Sequence, residues 1–289
     1  MRLVGSSRAM RVLCVAGVAM VLTAVTLTVV STRHHPPAPA NVGTHPITIA
    51  PAPIAVPHVP AEVLRRLPVV DTEATLTRAP HQPTLTTAGT SSVVHNPAAV
   101  PVFTAPGGRA FARLPKTQLG NDTWLPVVAE QPGWVQVLLP SRPNGSAGWL
   151  AAAGLRRAIT RHELRVDLAA ARLDLLRDGE ITKSWTVTVG TSDTPTPTGD
   201  TFLLASIRDP QQPWTPLILA LGTHSTVFDR YAGGPGTVAI HAWTSAPTGQ
   251  PGSHGCIRVP TSALRTLAQV PLGTLVRVAS RKKGRDGRA

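Results

Sequence analysis

Apolar positions along the chain fall into three successive patterns. From Val12 to Val30 they run without a charge, interrupted only by small or hydroxyl residues. Nineteen residues at helical rise span about 28 Å, close to the ~30 Å hydrocarbon core of a bilayer. Arg2, Arg8 and Arg11 precede the run. The positive-inside rule therefore makes residues 1–11 a basic cytoplasmic N-terminus and residues 12–30 a single-pass transmembrane signal-anchor, with the rest of the chain outside the cytoplasm. A cleaved signal peptide is the alternative, with Ala38-Pro39-Ala40 nearby. Its apolar region would be shorter, about 7–15 residues.

In the second pattern, residues 31–92, prolines break every apolar run: Pro36-Pro37, Pro51, Pro53, Pro57, Pro60 and Pro83. Such spacing blocks helix and sheet interiors and favours extended polyproline II, so the segment is expected to be a linker that lifts the folded part off a membrane. One short helix is expected in it, around Glu62 to Leu67 within Val59–Val70.

The third pattern is a series of short apolar runs divided by turns, and it falls into two units. In residues 93–157 the runs Val100–Phe103, Trp124–Val128 and Trp134–Leu139 are separated by Pro106-Gly107-Gly108, Gly120-Asn121-Asp122, Pro132-Gly133 and Asn144-Gly145. That spacing predicts a small all-β barrel or sandwich. Gly133-Trp134-Val135 and Gly148-Trp149-Leu150 resemble the pattern of a bacterial Src-homology-3-like module. The resemblance implies either binding of envelope peptides or a spacer role, and the three tryptophans are assigned to the core. In residues 161–280 strands are predicted at Glu163–Leu168, Arg172–Leu176, Glu180–Val189, Phe202–Ile207, Pro216–Leu221, Thr237–Ala242 and Leu275–Val278. Arg177-Asp178-Gly179 makes a turn, and Thr194-Pro195-Thr196-Pro197-Thr198-Gly199 a loop. A helix is predicted from Ser262 to Gln269, with Ser262 or Thr261 as its cap. The chain is thus mainly β.

A formal charge of +13 and a basic tail at 281–289 raise the question of nucleic acid. An exported chain rarely meets it. Attraction to an anionic envelope or lipid surface, or simply a solvated surface, accounts for the same charge, and no nucleic-acid partner is expected.

Two cysteines occur, and Cys14 lies inside the membrane run. Cys256 therefore has no partner on its own side of the membrane. An unpaired thiol in an exported domain points to reactivity; the competing reading is a buried, inert Cys. It sits in Ser253-His254-Gly255-Cys256-Ile257-Arg258. A thiol nucleophile needs a base, and no His follows Cys256, so the base lies upstream. His241 ends the predicted strand Val238-Ala239-Ile240-His241, and a Gly/Pro-rich excursion (Pro247, Gly249, Pro251, Gly252) can fold it back onto Cys256. Amides around Gly255 and Cys256 could form an oxyanion hole.

Ile240-His241 followed by Ser253-His254-Gly255-Cys256-Ile257-Arg258 resembles the signature of L,D-transpeptidases of the YkuD type. Supporting matches are Val189-Gly190, Thr196-Pro197-Thr198-Gly199 before Phe202, Gly233-Gly234 and Gly273-Thr274. The resemblance covers about 120 residues and implies a β-rich catalytic fold without cofactor. It also implies acyl transfer from peptidoglycan tetrapeptide stems beside the meso-diaminopimelate at position three, usually to the amine of another stem in a 3–3 crosslink. Carried over, Cys256 is the nucleophile and His241 the general base. Ser253, His254 and Arg258 position substrate, and Gly255 permits the turn, its amide joining that of Cys256 in the oxyanion hole. Trp214, in Pro213-Trp214-Thr215-Pro216, and Tyr231 are candidates for the cleft. Ala242 departs from the Gly or hydroxyl residue many members carry after the His; the tautomer would be fixed through a backbone carbonyl.

Other chemistries share these residues. Zinc could use His241, His254 and Cys256 with His224 and Asp229, but no conventional ligand spacing occurs, and no metal is expected. Water as acceptor gives an L,D-carboxypeptidase, and a protein amine gives attachment of a protein to the wall. A non-catalytic envelope-binding protein would make Cys256 dispensable.

Overall fold

The computed structural model describes residues 52–83, 85 and 91–280. The expected signal-anchor 12–30, its flanks and the basic tail lie outside them. Among the described residues no helix is long and apolar enough to cross a membrane. In chain order the elements are α1 (Ala61–Arg66), β1 (Ser91–His95), β2 (Val100–Phe103), β3 (Ala110–Leu114), β4 (Thr117–Gln118), β5 (Asn121–Asp122), β6 (Trp124–Gln131), β7 (Trp134–Leu138), β8 (Ala147–Ala151) and β9 (Arg156–Thr160). After them come β10 (His162–Asp167), β11 (Arg172–Arg177), β12 (Glu180–Thr186), β13 (Gly199–Ile207), β14 (Ile218–His224), β15 (Thr237–His241), β16 (Ile257–Arg258), α2 (Thr261–Leu267) and β17 (Leu275–Ala279).

The first β unit is a seven-stranded sheet in the order β3-β2-β8-β7-β6-β1-β9, every pair antiparallel. Its hydrogen-bond order is open, with β3 and β9 at the ends. Of its tryptophans, Trp134 is fully buried and meets Phe103 edge-on at 5.1 Å, with Trp149 in the same cluster. The second unit is an eight-stranded mixed sheet, β12-β11-β10-β17-β13-β14-β15-β16, with β10–β17 and β15–β16 parallel.

Both faces of the central strands of this second sheet are covered. On β13, Leu203 points into the core of the second unit beside Leu219, Ile240 and Ile257. Its neighbours Phe202 and Leu204 point the other way and pack with Val102, Leu125, Val137 and Leu139 of the first β unit. Successive strand residues face opposite sides, so a strand buried twice loses its polar alternation. Phe202-Leu203-Leu204-Ala205 is therefore fully buried throughout. α2 covers that core with Ala263, Leu264 and Leu267. Its cap is not Ser262 or Thr261: Pro260 takes that position without a side-chain hydrogen bond, its fixed φ suiting a helix entry.

Residues 52–83, expected as part of an extended linker, instead lie along the first sheet. The Val70 N–H donates to Arg113 O (2.9 Å), Leu76 N–H to Arg142 O (2.7 Å) and Ala147 N–H to Pro80 O (2.8 Å). Val70 and Leu76 are buried in the core between the two sheets. Proline density correctly excludes a regular strand here. It does not exclude single bridges made by the residues between the prolines, at Val69–Arg113, Thr75–Arg142 and His81–Ser146. These residues form a strap.

Candidate active site

β15 supplies the first half of the site. Val238 and Ile240 enter the core of the second unit, so the alternate residues Ala239 and His241 face the opposite side. β16 pairs with β15 in parallel, Ile240 opposite Ile257 and His241 opposite Arg258. One residue earlier in that register, Cys256 lies against Ala239, whose backbone hydrogen-bonds the sulfur. Cys256, His241 and Arg258 consequently share one face of the strand pair.

The imidazole is oriented by its own chain. His241 Nδ1 lies 2.6 Å from the carbonyl of Ala242. A carbonyl can only accept, so Nδ1 carries the proton and Nε2 is the basic nitrogen. Ala242 thus fixes the tautomer through its backbone, as the family resemblance implied despite the departure at this position. Burial holds His241 below the ordinary imidazole value; the Ala242 hydrogen bond opposes this and the charge of Arg258 adds to it. Burial pushes the Cys256 thiol up, against the Ala239 hydrogen bond and the pull of Arg258. Both groups rest neutral near pH 7, and a thiolate arises by proton transfer to Nε2.

The motif loop is clamped from its other side by residues 188–196. Gly252 and Ser253 donate their N–H groups to Val189 O (2.9 and 3.0 Å), and Thr188 exchanges backbone bonds with Arg258 (3.0 and 2.8 Å). Thr194 Oγ1 donates to Ser253 O (3.1 Å), and Thr196 Oγ1 to Gly255 O (2.9 Å). Ser253 is buried; its hydroxyl donates to Cys256 O at 2.5 Å and accepts from the Gly255 N–H at 3.2 Å. Gly255 has φ +110°, a conformation L side chains rarely adopt. The turn thus needs glycine as the motif suggests, while its amide is already taken by Ser253.

Aromatic groups stand on both sides of the pair. On one, the Arg258 guanidinium lies 4.1 Å over the Trp243 ring, which meets His241 edge-on at 5.9 Å and Trp214 at 5.7 Å. On the other, Tyr231 Oη and His254 Nδ1 are hydrogen-bonded at 2.9 Å, and Phe228 lies 5.3 Å from Tyr231 and 6.3 Å from His254. Phe228, Tyr231, His254 and Cys256 line a cavity of about 120 Å³. A larger cavity, about 460 Å³, includes neither Cys256 nor His241; Arg172 and Asp174 in its lining are paired with each other, as are Arg277 and Asp200. Among the described residues no three His, Cys, Asp or Glu side chains are grouped to hold a metal. His224 spends Nε2 on Thr72 O at 2.8 Å.

Cys256, His241, Ser253, His254, Gly255, Arg258 and Tyr231 are brought together here and Trp214 joins them through Trp243, whereas His224 and Asp229 form no metal-binding group with them. Sequence reasoning missed Trp243 and Phe228. Trp243 was findable, since it follows His241 by two and continues the alternation of β15. Phe228 gives no comparable signal.

Residues 161–278 match the YkuD family model, described as the L,D-transpeptidase catalytic domain. That part of the chain is a YkuD-type L,D-transpeptidase catalytic domain, preceded by a β-sheet region. Among solved structures, an L,D-transpeptidase mutant from Enterococcus faecium is similar at 23% identity and TM-score 0.32, over 41% of this chain and 49% of that one. One from Xylanimonas cellulosilytica matches at 22% and 0.32, over 41% and 60%. One from Mycobacterium smegmatis matches at 15% and 0.34, over 51% and 91%. The match thus spans about half to three fifths of the first two structures. No curated protein matches the chain.

Proposed function

We propose that the protein is a peptidoglycan L,D-transpeptidase forming 3–3 crosslinks through a thioester on Cys256. The observation that carries the reading is the parallel register of β15 and β16, which sets Cys256 and His241 on one face, with Cys256 lining the 120 Å³ cavity. His241 Nε2 takes the thiol proton as Sγ attacks the carbonyl joining the third and fourth stem residues. The C–N bond of the tetrahedral intermediate breaks, and His241 returns the proton to the departing amine of the fourth residue. An acceptor amine then gives a proton to Nε2 and attacks the thioester, and the new amide forms as the Cys256 thiolate leaves. The Cys256 amide is the oxyanion donor; Gly255 contributes its conformation, because its N–H serves Ser253 Oγ. Ser253 holds the loop, Arg258 and His254 orient substrate, and Trp214 and Tyr231 extend the walls. Residues 12–30 anchor the chain as a single-pass span in the cytoplasmic membrane, leaving this domain in the cell envelope.

Intact mass of the full chain after incubation with a tetrapeptide-stem muropeptide tests the proposal, beside Cys256→Ala and His241→Ala. The expected result is an acyl adduct on the parent, absent in Cys256→Ala and formed about 10²–10⁴-fold more slowly in His241→Ala. Crosslinked dimer identifies a stem amine as acceptor. Hydrolysed tripeptide alone would replace the transpeptidase by a carboxypeptidase, and a stem joined to a protein amine by an attachment enzyme. No adduct on a folded protein with a titratable thiol would sink the enzyme and leave the envelope-binding alternative.

A further inference from the structure

The loop 225–236 carries Phe228 and Tyr231 to the cavity, yet much of what holds it comes from outside the catalytic domain. Arg142, in the turn between β7 and β8, donates from Nη1 to Pro235 O at 2.9 Å and from Nη2 to Phe228 O at 2.9 Å and Asp229 O at 3.4 Å. One guanidinium thereby ties both arms of the loop. Its five fixed donors suit several carbonyls at once, a geometry an ammonium cannot copy. The fit is close: a Cβ on Gly236 would stand 2.5 Å from Phe228 O and 3.3 Å from Arg142 Nη2. Arg142 is itself fixed by the strap, its N–H donating to Ala74 O (2.9 Å) and its carbonyl accepting from Leu76 N–H (2.7 Å). Further ties run the same way. Asn144 exchanges hydrogen bonds with the backbone of His224 (2.8 and 2.9 Å), and Glu73 pairs with Arg230 at 3.0 Å.

From these contacts we infer that Arg142 is a positioning residue for acyl transfer: from the first β unit it holds loop 225–236 so that Phe228 and Tyr231 brace His254 against the Cys256 cavity. The first β unit and the strap thus complete the substrate wall and are not a spacer. The chain of contact is continuous, from the Ala74–Leu76 backbone through Arg142 to Phe228 O, and from the Phe228 and Tyr231 rings to His254, which lines the cavity with Cys256. The hydrogen bonds of Arg142 go to loop 225–236 and to the strap, so it acts on the wall and leaves the proton transfer alone. Loss of the tie should weaken recognition of a large substrate while sparing the thiol's reaction with a small one.

The wall's role in acylation rests on the transpeptidase reading; the loop's attachment does not, and the experiment separates them. Full-chain Arg142→Ala and Arg142→Lys are compared with the parent by hydrogen exchange of loop 225–236, acylation by a tetrapeptide-stem muropeptide, and Cys256 reaction with iodoacetamide and with bulkier N-phenylmaleimide. In Arg142→Ala the expected results are loop exchange at least tenfold faster, kcat/KM for the stem down at least tenfold mainly through KM, and iodoacetamide reactivity and its pH profile within twofold. Arg142→Lys, keeping one or two of the donors, should recover part of the loss, and it serves alone if Arg142→Ala does not fold. Unchanged loop exchange overturns the proposal, as does a loosened loop with unchanged acylation by an active parent. A parent that the stem never acylates defeats the transpeptidase reading instead. Arg142 is then judged by the two reagents: a maleimide-to-iodoacetamide rate ratio altered more than threefold supports it, and an unaltered ratio overturns it.

Discussion

His224 should make the folded state lose stability between pH 7.5 and 5, by an amount the structure sets. The ring is 1% exposed, Nε2 lies 2.8 Å from Thr72 O, and Nδ1 is buried without a partner. With Nε2–H donating to the carbonyl, Nδ1 is the site that must take the proton, and nothing there accepts from it. Burial, and then the charge of Arg142, push its pKa down to about 4, against the Thr72 hydrogen bond and Glu73. The unfolded chain titrates near 6.5. Between these values the unfolded state binds a proton the folded state refuses, so stability is complete above about pH 6.5 and falls as pH drops toward 4. The limit is a difference of about 2.5 pH units at ~1.36 kcal/mol each, roughly 3 kcal/mol; at pH 5 about 2 kcal/mol is already lost. Urea unfolding followed by tryptophan fluorescence at pH 7.5 and 5.0 reads this directly. At an m-value of about 2 kcal/mol/M the midpoint should drop by about 1 M more in the parent than in His224→Gln. The variant loses stability at both pH values but lacks this slope, and contributions from His162 and His241 cancel in the comparison. Equal losses in the two proteins, within about 0.5 kcal/mol, would refute the reasoning.

Other consequences are local to the site. Ser253→Ala leaves the buried Gly255 N–H without its acceptor, so urea unfolding should register about 1–3 kcal/mol of destabilisation, with stem acylation slowed. Gly255→Ala forces a side chain into φ +110° with Cβ 3.4 Å from Pro195 O; a loss of about 1–3 kcal/mol is expected, and Cys256 alkylation should slow as the loop shifts. Because burial lowers His241 and raises Cys256, the rate of Cys256 alkylation should climb with pH through the depressed imidazole range. His241→Ala should delay that climb to the range of an isolated, raised thiol. Identical profiles in the two proteins would remove His241 as the base.

The sequence determined what depends on neighbours a few residues apart. Short apolar runs and turn residues located seven of the eight strands of the second sheet but only three of the seven of the first, and α1 fell where a short helix was expected. The candidate site was legible because Ser253-His254-Gly255-Cys256 packs a thiol, a tight turn and a polar clamp into four consecutive positions. The use of a backbone carbonyl to fix His241 was implied by the family resemblance, and the Ala242 carbonyl supplies it.

Tertiary structure decided whatever depends on pairing between distant segments. A parallel register joins His241 to Arg258 across a loop whose sequence specifies no register, and that register puts Cys256 on the histidine's face. Phe202 to Ala205 carries no alternation to read, because the first sheet covers the face that would otherwise meet water. Residues 52–83 look like a linker by composition, yet they are held by bridges that form only against an existing sheet edge and turn. Arg142 is one arginine in a turn, and its partners are carbonyls 86 to 93 residues later. Backbone carbonyls exist at every residue, so no side-chain pattern marks the ones a folded chain will bring to it.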